Sequence, residues 1–404
     1  MGNKKIIISD KKLLEKINSK IHEIAHALLN IDAEKLDNGL LTGKAGITIF
    51  LFNYSKYSGE QAYAQKGKDI LLSVFDSINN GFVQHTFCSG IAGIAYVVEY
   101  LAAEGFIEKE NTNILGGFDN FLLQNQKLEI DHGNYDYLHA ALGPALYFLF
   151  SSAGNIEEKT GDFLIELEKQ SVKQKDGSIN WTGITDEKKG IMGVNLGLSH
   201  GMASIIAFLA LVRKQNICIK KSEELLNAGI KYLIKNIQDH EEYNSYFPNT
   251  IEPGKKGEYS RMAWCYGDPG IAWALLLASD SLHDKLLKNK AIEILLHSAK
   301  RKDLEKNFVK DACICHGSAG LILIFLQAWR YTGIEEFAEA AKYWAEQSLK
   351  MAHHKNSFAG YSLWQGEKGW QPEAGILEGI AGVGLAYLEL ISENEGKWLT
   401  ALLL

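Results

Sequence analysis

The sequence contains little proline and little cysteine. Only five of its 404 residues are proline, and five are cysteine. No proline-rich or serine-rich linker interrupts the chain, so we expect a single domain over residues 1–404. The cysteines are sparse and odd in number, which fits reduced thiols or metal ligands better than a disulfide framework.

The sequence also lacks an excess of basic residues and a long apolar run. The formal net charge of -7 gives no electrostatic footprint for DNA or RNA. No apolar run approaches the length of a membrane span. Near the start, lysines flank only the short apolar run from Ile6 to Ile8, which is far shorter than the apolar core of a secretory signal. We therefore expect a cytoplasmic protein with no nucleic-acid partner and no membrane insertion.

An internal repeat dominates the sequence. Seven signatures of small residues begin at Gly43, Gly90, Gly143, Gly201, Gly267, Gly317 and Gly379. Successive signatures are 47 positions apart at the shortest (Gly43 to Gly90) and 66 at the longest (Gly201 to Gly267). This spacing suits one helical hairpin with its loops in each repeat.

Each signature opens an apolar stretch, such as 91–101 or 321–329, and amphipathic stretches such as 222–237 lie between them. The pattern predicts an inner buried helix followed by an outer amphipathic helix. Because neither helix can bury its apolar surface alone, seven such hairpins predict an all-α fold, an α/α toroid. An open solenoid of the same hairpins is the competing arrangement.

Three longer segments do not have a helical pattern. Residues 172–195, 240–263 and 352–376 mix aromatic, glycine and β-branched residues, and they predict loops with short strands. Each precedes a signature, so in a toroid all three would lie at the same end. There they would form a rim able to hold a substrate.

The two residues before each first glycine occupy equivalent positions of the repeat. At the fourth to sixth signatures they include His200, Cys265, Cys315 and His316. In a closed ring these side chains would meet at one mouth of the cavity. Two thiolates and one imidazole are ligands that zinc prefers, and three protein ligands leave the fourth position open, as in catalytic sites. The pattern therefore predicts zinc and a substrate thiol bound as thiolate.

Other interpretations of these residues stay open at this stage. Cys265 and Cys315 could be small buried residues beside glycines that permit close helix packing. Cys88 shares the repeat position, and as a fourth ligand it would close the site and make it structural. His200 is a candidate acid or base, with a structural histidine as the alternative. Cys218 and Cys313 are expected to be bystanders.

The chain resembles the lanthionine synthetase C family along essentially its whole length. The most specific resemblance lies in Trp264-Cys265-Tyr266-Gly267, Cys315-His316-Gly317 and Ser199-His200-Gly201, which follow the family's order. The resemblance implies an α/α toroid with zinc bound by Cys265, Cys315 and His316. It also implies a lanthionine cyclase, in which a peptide cysteine adds to a dehydroalanine or dehydrobutyrine of the same peptide and forms a thioether ring.

The resemblance further assigns roles to four residues of this chain. It implies that His200 handles the proton, that Arg261 steadies the enolate or orients its neighbours, and that Tyr266 and Asp136 complete the pocket. Asp136 lies in a segment that departs from the family pattern at His139 and Pro144. For Asp136, a helix cap is an equal alternative.

The expected partner is a dehydrated precursor peptide that carries a leader. Dehydration would come from another enzyme, and the resemblance allows for a complex with a dehydratase and an exporter. A LanC-like thiol or glutathione binder is the main competing function, followed by a zinc prenyltransferase-like enzyme, although no aspartate fills a ligand position. A glycosidase on a helical ring ranks last, because paired carboxylates are missing at matching positions.

Overall fold

The computed structural model describes residues 7–8, 10–152, 154–186, 188–393 and 396–404. Residues 1–6, on which the expectation of no export signal depends, lie outside the described residues. The helices are α1 Lys11–Leu29, α2 Lys44–Ser58, α3 Gln61–Asn79, α4 Ile91–Ala103, α5 Asp119–Asp131, α6 Leu142–Phe150, α7 Ile156–Lys169, α8 Met202–Lys214, α9 Ile219–Lys235, α10 His240–Tyr243, α11 Asp268–Leu282, α12 Lys285–Lys300, α13 Ser318–Thr332, α14 Glu335–Met351 and α15 Ile380–Ile391.

Short strands occur where the sequence predicts them. They are β1 Val172–Lys173, β2 Ile179–Asn180, β3 Gly183–Asp186, β4 Ile191–Asn195, β5 Thr250–Ile251, β6 Leu363–Trp364 and β7 Trp370–Gln371. β1 pairs with β2, β3–β4–β5 form a three-stranded antiparallel sheet, and β6 pairs with β7. The prediction missed α10, a single helical turn capped by Asp239 within the segment 240–263.

The described chain forms two compact units. Unit 1 comprises the described residues within 1–112, 308–402 and 404, and unit 2 comprises those within 113–307 together with Leu403. The expectation of a single domain over residues 1–404 stays a prediction. Among the described helices, none is both long enough and apolar enough to cross a membrane.

The seven signatures mark the starts of seven apolar helices. Six of the first glycines directly precede a helix, namely α2, α4, α8, α11, α13 and α15. The third signature differs, because α6 begins at Leu142, one residue before Gly143. These helices are buried around most of their circumference, as in α13, where every residue from Ser318 to Ala328 is buried. The outer helices bury one stripe only, as α9 does through residues such as Leu226 and Leu233.

The last apolar helix finds its outer partner at the other end of the chain. α2, α8, α11 and α13 each pack on the amphipathic helix that follows them, but α15 packs on α1. The amphipathic helix α1 buries Ile17, Ile21, Ile24 and Leu28. Within unit 1 the first and seventh repeats are therefore neighbours, and α15 also packs on α2.

Backbone hydrogen bonds join the signature turns to each other. In unit 1 the amide of Leu41 donates to Cys88 (2.8 Å), the amide of Leu377 donates to Leu41 (2.8 Å), and the amide of Cys315 donates to Leu377 (2.9 Å). All four residues stand two places before a first glycine. The turns that precede the sixth, seventh, first and second signatures, in that order, are thus joined to one another at equivalent positions of the repeat.

Replacing Gly382 should test how tightly these turns are packed. A Cβ at this position would lie 1.8 Å from the carbonyl oxygen of Ile376 and 2.8 Å from the side chain of Ile314. Since α15 must shift to relieve the clash, we expect Gly382→Ala to lower the free energy of unfolding by about 1–3 kcal/mol, measured by urea denaturation. Gly117 meets no atom within 4 Å, so Gly117→Ala serves as the control. Equal denaturation midpoints for both variants would contradict the predicted packing.

Candidate metal centre and active site

The turn before α13 holds one cysteine and one histidine of the predicted metal site. The amides of Ile314 and Cys315 both donate to the carbonyl oxygen of Leu377, at 3.0 and 2.9 Å. The turn closes on itself through the amide of Ser318, which donates to the carbonyl oxygen of Asp311 (3.1 Å). The backbone that carries Cys315 and His316 is therefore held from both sides.

Asp311 fixes the imidazole of His316. Its Oδ2 lies 3.3 Å from Nε2 of His316 and accepts a hydrogen bond from the amide of Trp364 (3.0 Å). Its Oδ1 accepts from the amide of Cys313 (3.1 Å), and its side chain is 1% exposed. Burial opposes the charged carboxylate, but the hydrogen bond and charge of His316 outweigh it, so the pKa of Asp311 is lowered. With Nε2 directed at Asp311, Nδ1 is the ring nitrogen through which His316 would bind an ion.

Two groups of possible metal ligands share His316. In one, the ligand atoms of Cys315, His316 and Glu378 all lie within 4.8 Å of one another, and in the other those of Asp311, Cys313 and His316 do. Ligand atoms around one zinc ion are about 3.5–4 Å apart, given bond lengths near 2.0–2.3 Å, so both groups have a suitable size.

The chemistry of the donors favours the group that contains Cys315. Burial raises the pKa of Cys313 well above its ordinary value, and its Sγ already accepts a hydrogen bond from the amide of His316 (3.4 Å). Asp311 uses both carboxylate oxygens for the contacts described above. A buried neutral thiol and an engaged carboxylate are poor ligands, whereas Cys315 and Glu378 are both partly exposed. The arrangement therefore fits zinc on the side of Cys315.

Cys265 lies in unit 2, in the turn before α11. Its side chain is 4% exposed, and its carbonyl oxygen accepts hydrogen bonds from the amides of Leu198 (2.9 Å) and Ser199 (3.3 Å). Turns 4 and 5 are thus joined as the turns of unit 1 are. The contribution of Cys265 to a ligand set with Cys315 and His316 stays a prediction.

The same turn carries Arg261 and Tyr266. Gly267 has φ 89°, and a Cβ there would lie 1.9 Å from the carbonyl oxygen of Arg261, so this position requires glycine. The hydroxyl of Tyr266 accepts a hydrogen bond from Nδ2 of Asn195 (2.9 Å), at the end of β4. The role of the Arg261 guanidinium stays a prediction.

Asp136 and His200 form a direct pair in unit 2. Oδ2 of Asp136 lies 2.5 Å from Nδ1 of His200, while Oδ1 accepts from the amides of Leu138 and His139, both at 2.8 Å. One carboxylate oxygen therefore caps a turn and the other holds the imidazole. Asp136 is not a helix cap, because the next helix, α6, begins only at Leu142 and has no side-chain cap. The ring of Tyr266 lies 6.2 Å from that of His200, between centroids, and the ring of His139 stacks on His200 at 5.9 Å.

The surroundings of His200 favour its protonated form. Burial of the ring opposes protonation, but the hydrogen bond and charge of Asp136 outweigh it and raise the pKa of His200. The neighbouring His139 has a lowered pKa because burial dominates there. Asp136 can therefore keep His200 protonated as a proton donor while His139 stays neutral.

Asp268, the aspartate nearest to the predicted ligands in sequence, has a structural role. Its side chain is fully buried, its oxygens accept from the amides of Tyr246 (2.9 Å) and Phe247 (3.0 Å), and Arg301 lies 3.6 Å away. This engagement argues against Asp268 as the aspartate ligand that the prenyltransferase-like alternative requires. Burial raises the pKa of Asp268 to about 6.

Sequence reasoning assigned no role to two residues of this region, Asp311 and Glu378. Glu378 directly precedes Gly379 and so occupies the same repeat position as His200 and His316. This shared position could have identified Glu378 as a candidate site residue. Asp311 lies six places before Gly317, outside the positions compared. Cys88 belongs to neither ligand group among the residues that the structure describes.

The chain is similar to known proteins along nearly its whole length. The family model described as lanthionine synthetase C-like protein matches residues 34–403. The nisin biosynthesis protein NisC of Lactococcus lactis subsp. lactis is 24% identical over an alignment that spans 100% of this chain and 97% of that protein.

Among solved structures, a nisin cyclase matches with a TM-score of 0.76 and 20% identity, covering 98% of both chains. A sugar epimerase from a ruminal bacterium matches with a TM-score of 0.44 and 13% identity, covering 94% of this chain and 98% of that one. The likeness to the nisin cyclase confirms the predicted fold class, an α/α toroid. With the family match over nearly the whole length, this establishes that the chain belongs to the lanthionine synthetase C-like family.

Proposed function

We propose that this protein is a zinc-dependent lanthionine cyclase that closes thioether rings in a dehydrated precursor peptide. The observation that carries the proposal is the group of Cys315 and His316 in the sixth signature turn, within a chain that belongs to this family. The test is to incubate the purified protein with a dehydrated peptide. Since ring closure leaves the peptide mass unchanged, loss of thiol alkylation in mass spectrometry reports the reaction.

The proposed zinc ligands are Cys265, Cys315 and His316. Cys265 and Cys315 stand at the same place of their repeats, two residues before the first glycine. Zinc with two thiolate ligands would bind the peptide cysteine as a thiolate near neutral pH and present it for addition. Asp311 would orient His316, because its carboxylate holds Nε2 and leaves Nδ1 for the metal.

His200 would supply the proton that completes the addition. When the thiolate attacks the β-carbon of a dehydroalanine or dehydrobutyrine, the electron pair of the double bond moves to the carbonyl oxygen as an enolate. Protonation of the α-carbon then gives the thioether product. Asp136 binds Nδ1 of His200, so Nε2 would deliver the proton, and Arg261 and Tyr266 would stabilise the enolate.

The substrate class follows from this chemistry. A peptide with dehydrated serine or threonine and a free cysteine must be supplied by a separate dehydration step. We propose a leader-bearing peptide as the substrate, and a dehydratase and an exporter as partners in a cytoplasmic complex. Reduced thiols suit that compartment, and none of the five cysteines forms a disulfide within the described part of the chain.

Replacing Cys315 by alanine should remove zinc and cyclisation together. Zinc content should fall from about one ion per chain toward zero, because two remaining ligands bind weakly. Metal analysis and the alkylation assay check this, with Cys218→Ala as the matched cysteine control. Cyclisation at the normal rate in a metal-free Cys315→Ala protein would rule out the mechanism.

Replacing His200 or Asp136 should affect the rate and leave zinc bound. His200→Ala should slow cyclisation by about 10²–10⁴-fold, the usual contribution of a positioned acid.

Because Asp136 raises the pKa of His200, Asp136→Asn should lower it, and the loss of kcat/KM at high pH should begin at a lower pH. Asp131→Asn, at the exposed end of α5, is the control. An unchanged pH profile in Asp136→Asn would contradict the proton-donor role.

Replacing Asp311 should weaken zinc binding without abolishing it. Groups that orient a metal-bound histidine usually contribute 10–100-fold in affinity, so we expect Asp311→Asn to raise the zinc Kd by about that factor. Competition with a chromogenic chelator measures it, and Asp303→Asn, an exposed turn aspartate, is the control. If Asp311→Asn and Cys313→Ala both abolished binding, the ion would instead occupy the group of Asp311, Cys313 and His316.

A further inference from the structure

Glu378 is a carboxylate at the metal centre to which neither the family resemblance nor the mechanism above gives a task. It stands directly before Gly379 in the seventh signature turn, the position that His316 has in the sixth. A carboxylate oxygen of Glu378, Sγ of Cys315 and a ring nitrogen of His316 all lie within 4.8 Å of one another. This separation is suitable for three ligands of one ion.

The backbone holds Glu378 in this place. The carbonyl oxygen of Leu377, the residue before it, accepts hydrogen bonds from the amides of both Ile314 and Cys315. The sixth and seventh turns are therefore in fixed register, and their side chains project from adjoining backbone. These hydrogen bonds place Glu378 beside Cys315.

The charges around Glu378 call for a cation. The carboxylate of Asp311 and the imidazole of His316 both lie close enough to Glu378 to act on its charge. Among the described residues, Glu378 forms no ion pair with a lysine or arginine. Two carboxylates, those of Glu378 and Asp311, and the imidazole of His316 therefore lie beside a place where a divalent ion would balance the charge.

We propose that Glu378 is a displaceable ligand of the metal, bound while no peptide is present and replaced by the thiolate of the peptide cysteine. This inference rests on the proposed zinc site. Carboxylate oxygen is an accepted zinc ligand, but thiolate sulfur suits a site that already has sulfur ligands better. The exchange replaces one anionic ligand by another, so the net charge of the centre stays the same, and the thiol proton leaves to solvent.

A displaceable carboxylate would prevent small thiols from occupying the metal position meant for the peptide cysteine. A zinc centre with an open position binds any small thiol of the cell, whereas a closed centre admits only a thiol that can compete with the carboxylate. A peptide held by other contacts has a high effective concentration at the metal and can compete. Glu378 would therefore favour the tethered cysteine of the substrate over free thiols.

The experiment uses the full chain loaded with Co²⁺, in its natural form and as Glu378→Gln, Glu378→Ala and Glu373→Gln. Glu373 is the matched control, a half-buried carboxylate five residues away that contacts Gln365. Three quantities are measured: the visible ligand-field spectrum, the Zn²⁺ affinity by chelator competition, and the affinity for N-acetylcysteine amide as a neutral thiol probe. None of them depends on turnover.

We expect both Glu378 variants to change the ligand-field spectrum and to bind Zn²⁺ at least about 10-fold more weakly. We also expect them to bind the thiol probe several-fold more tightly, because no carboxylate must be displaced. Glu373→Gln should match the natural protein in all three measurements. Urea denaturation shows whether each variant is folded, and two different substitutions keep the test decisive if one is not.

Three results would overturn the inference, and they can be told apart. An unchanged spectrum and Zn²⁺ affinity in both Glu378 variants would mean that Glu378 is not a ligand. Weaker binding of both metal and thiol would mean that the carboxylate assists the thiol and does not compete with it. A natural protein that binds neither Co²⁺ nor Zn²⁺ would remove the proposed zinc function itself, and the inference with it.

Discussion

The structure depends on the hydrogen bonds that join one signature turn to the next. In unit 1 the same repeat position donates and accepts from turn to turn, from Cys315 to Leu377, from Leu377 to Leu41 and from Leu41 to Cys88. In unit 2, Leu198 and Cys265 are joined in the same way. Glycines make these contacts possible, because their backbones lie too close to neighbouring carbonyl groups for any Cβ. Side chains next to these positions are therefore placed by the backbone, before any metal binds.

The two imidazoles of the candidate site are held in the same manner but present opposite nitrogens. Asp136 contacts Nδ1 of His200, and Asp311 contacts Nε2 of His316. In each case the second carboxylate oxygen accepts from a backbone amide, so the aspartate is fixed by its own turn. The nitrogen left for other contacts is Nε2 in His200, far from its backbone and suited to contact with a substrate. In His316 it is Nδ1, close to its backbone and suited to a metal ion. Which nitrogen the aspartate binds thus separates proton transfer from metal binding.

Comparing equivalent positions of the seven repeats predicted the fold and several candidate site residues from sequence. Other features of the site could not be predicted in this way, for physical reasons. Comparing equivalent positions of the repeat identified Cys315 and His316 as candidate ligands, and the hydrogen bonds between signature turns explain why such positions lie close to one another within a unit. The convergence of Cys265 and His200 with them stays a prediction. The comparison of repeats could not reveal Asp311, since that residue acts through its side chain from six places upstream. It could not reveal that α1 completes the last hairpin either, because the amphipathic pattern of α1 does not identify the helix it packs against. Glu378 occupies the same repeat position as His200 and His316. A glutamate before a glycine is common at protein surfaces, however, so the sequence alone does not indicate a metal ligand there.

The chemistry of ring closure explains why sulfur and carboxylate ligands would be combined at one centre. A sulfur-rich ligand set lowers the Lewis acidity of zinc, so a bound thiolate keeps more of its nucleophilicity toward a β-carbon. The same softness leaves the site open to other thiols, and Asp311 cannot exclude them because its oxygens are engaged with His316 and two backbone amides. A hard anionic ligand from the adjoining turn can hold the open position weakly. Glu378 has the position and the charge for this task, and the backbone contacts of Leu377 keep it there whether or not a metal is bound.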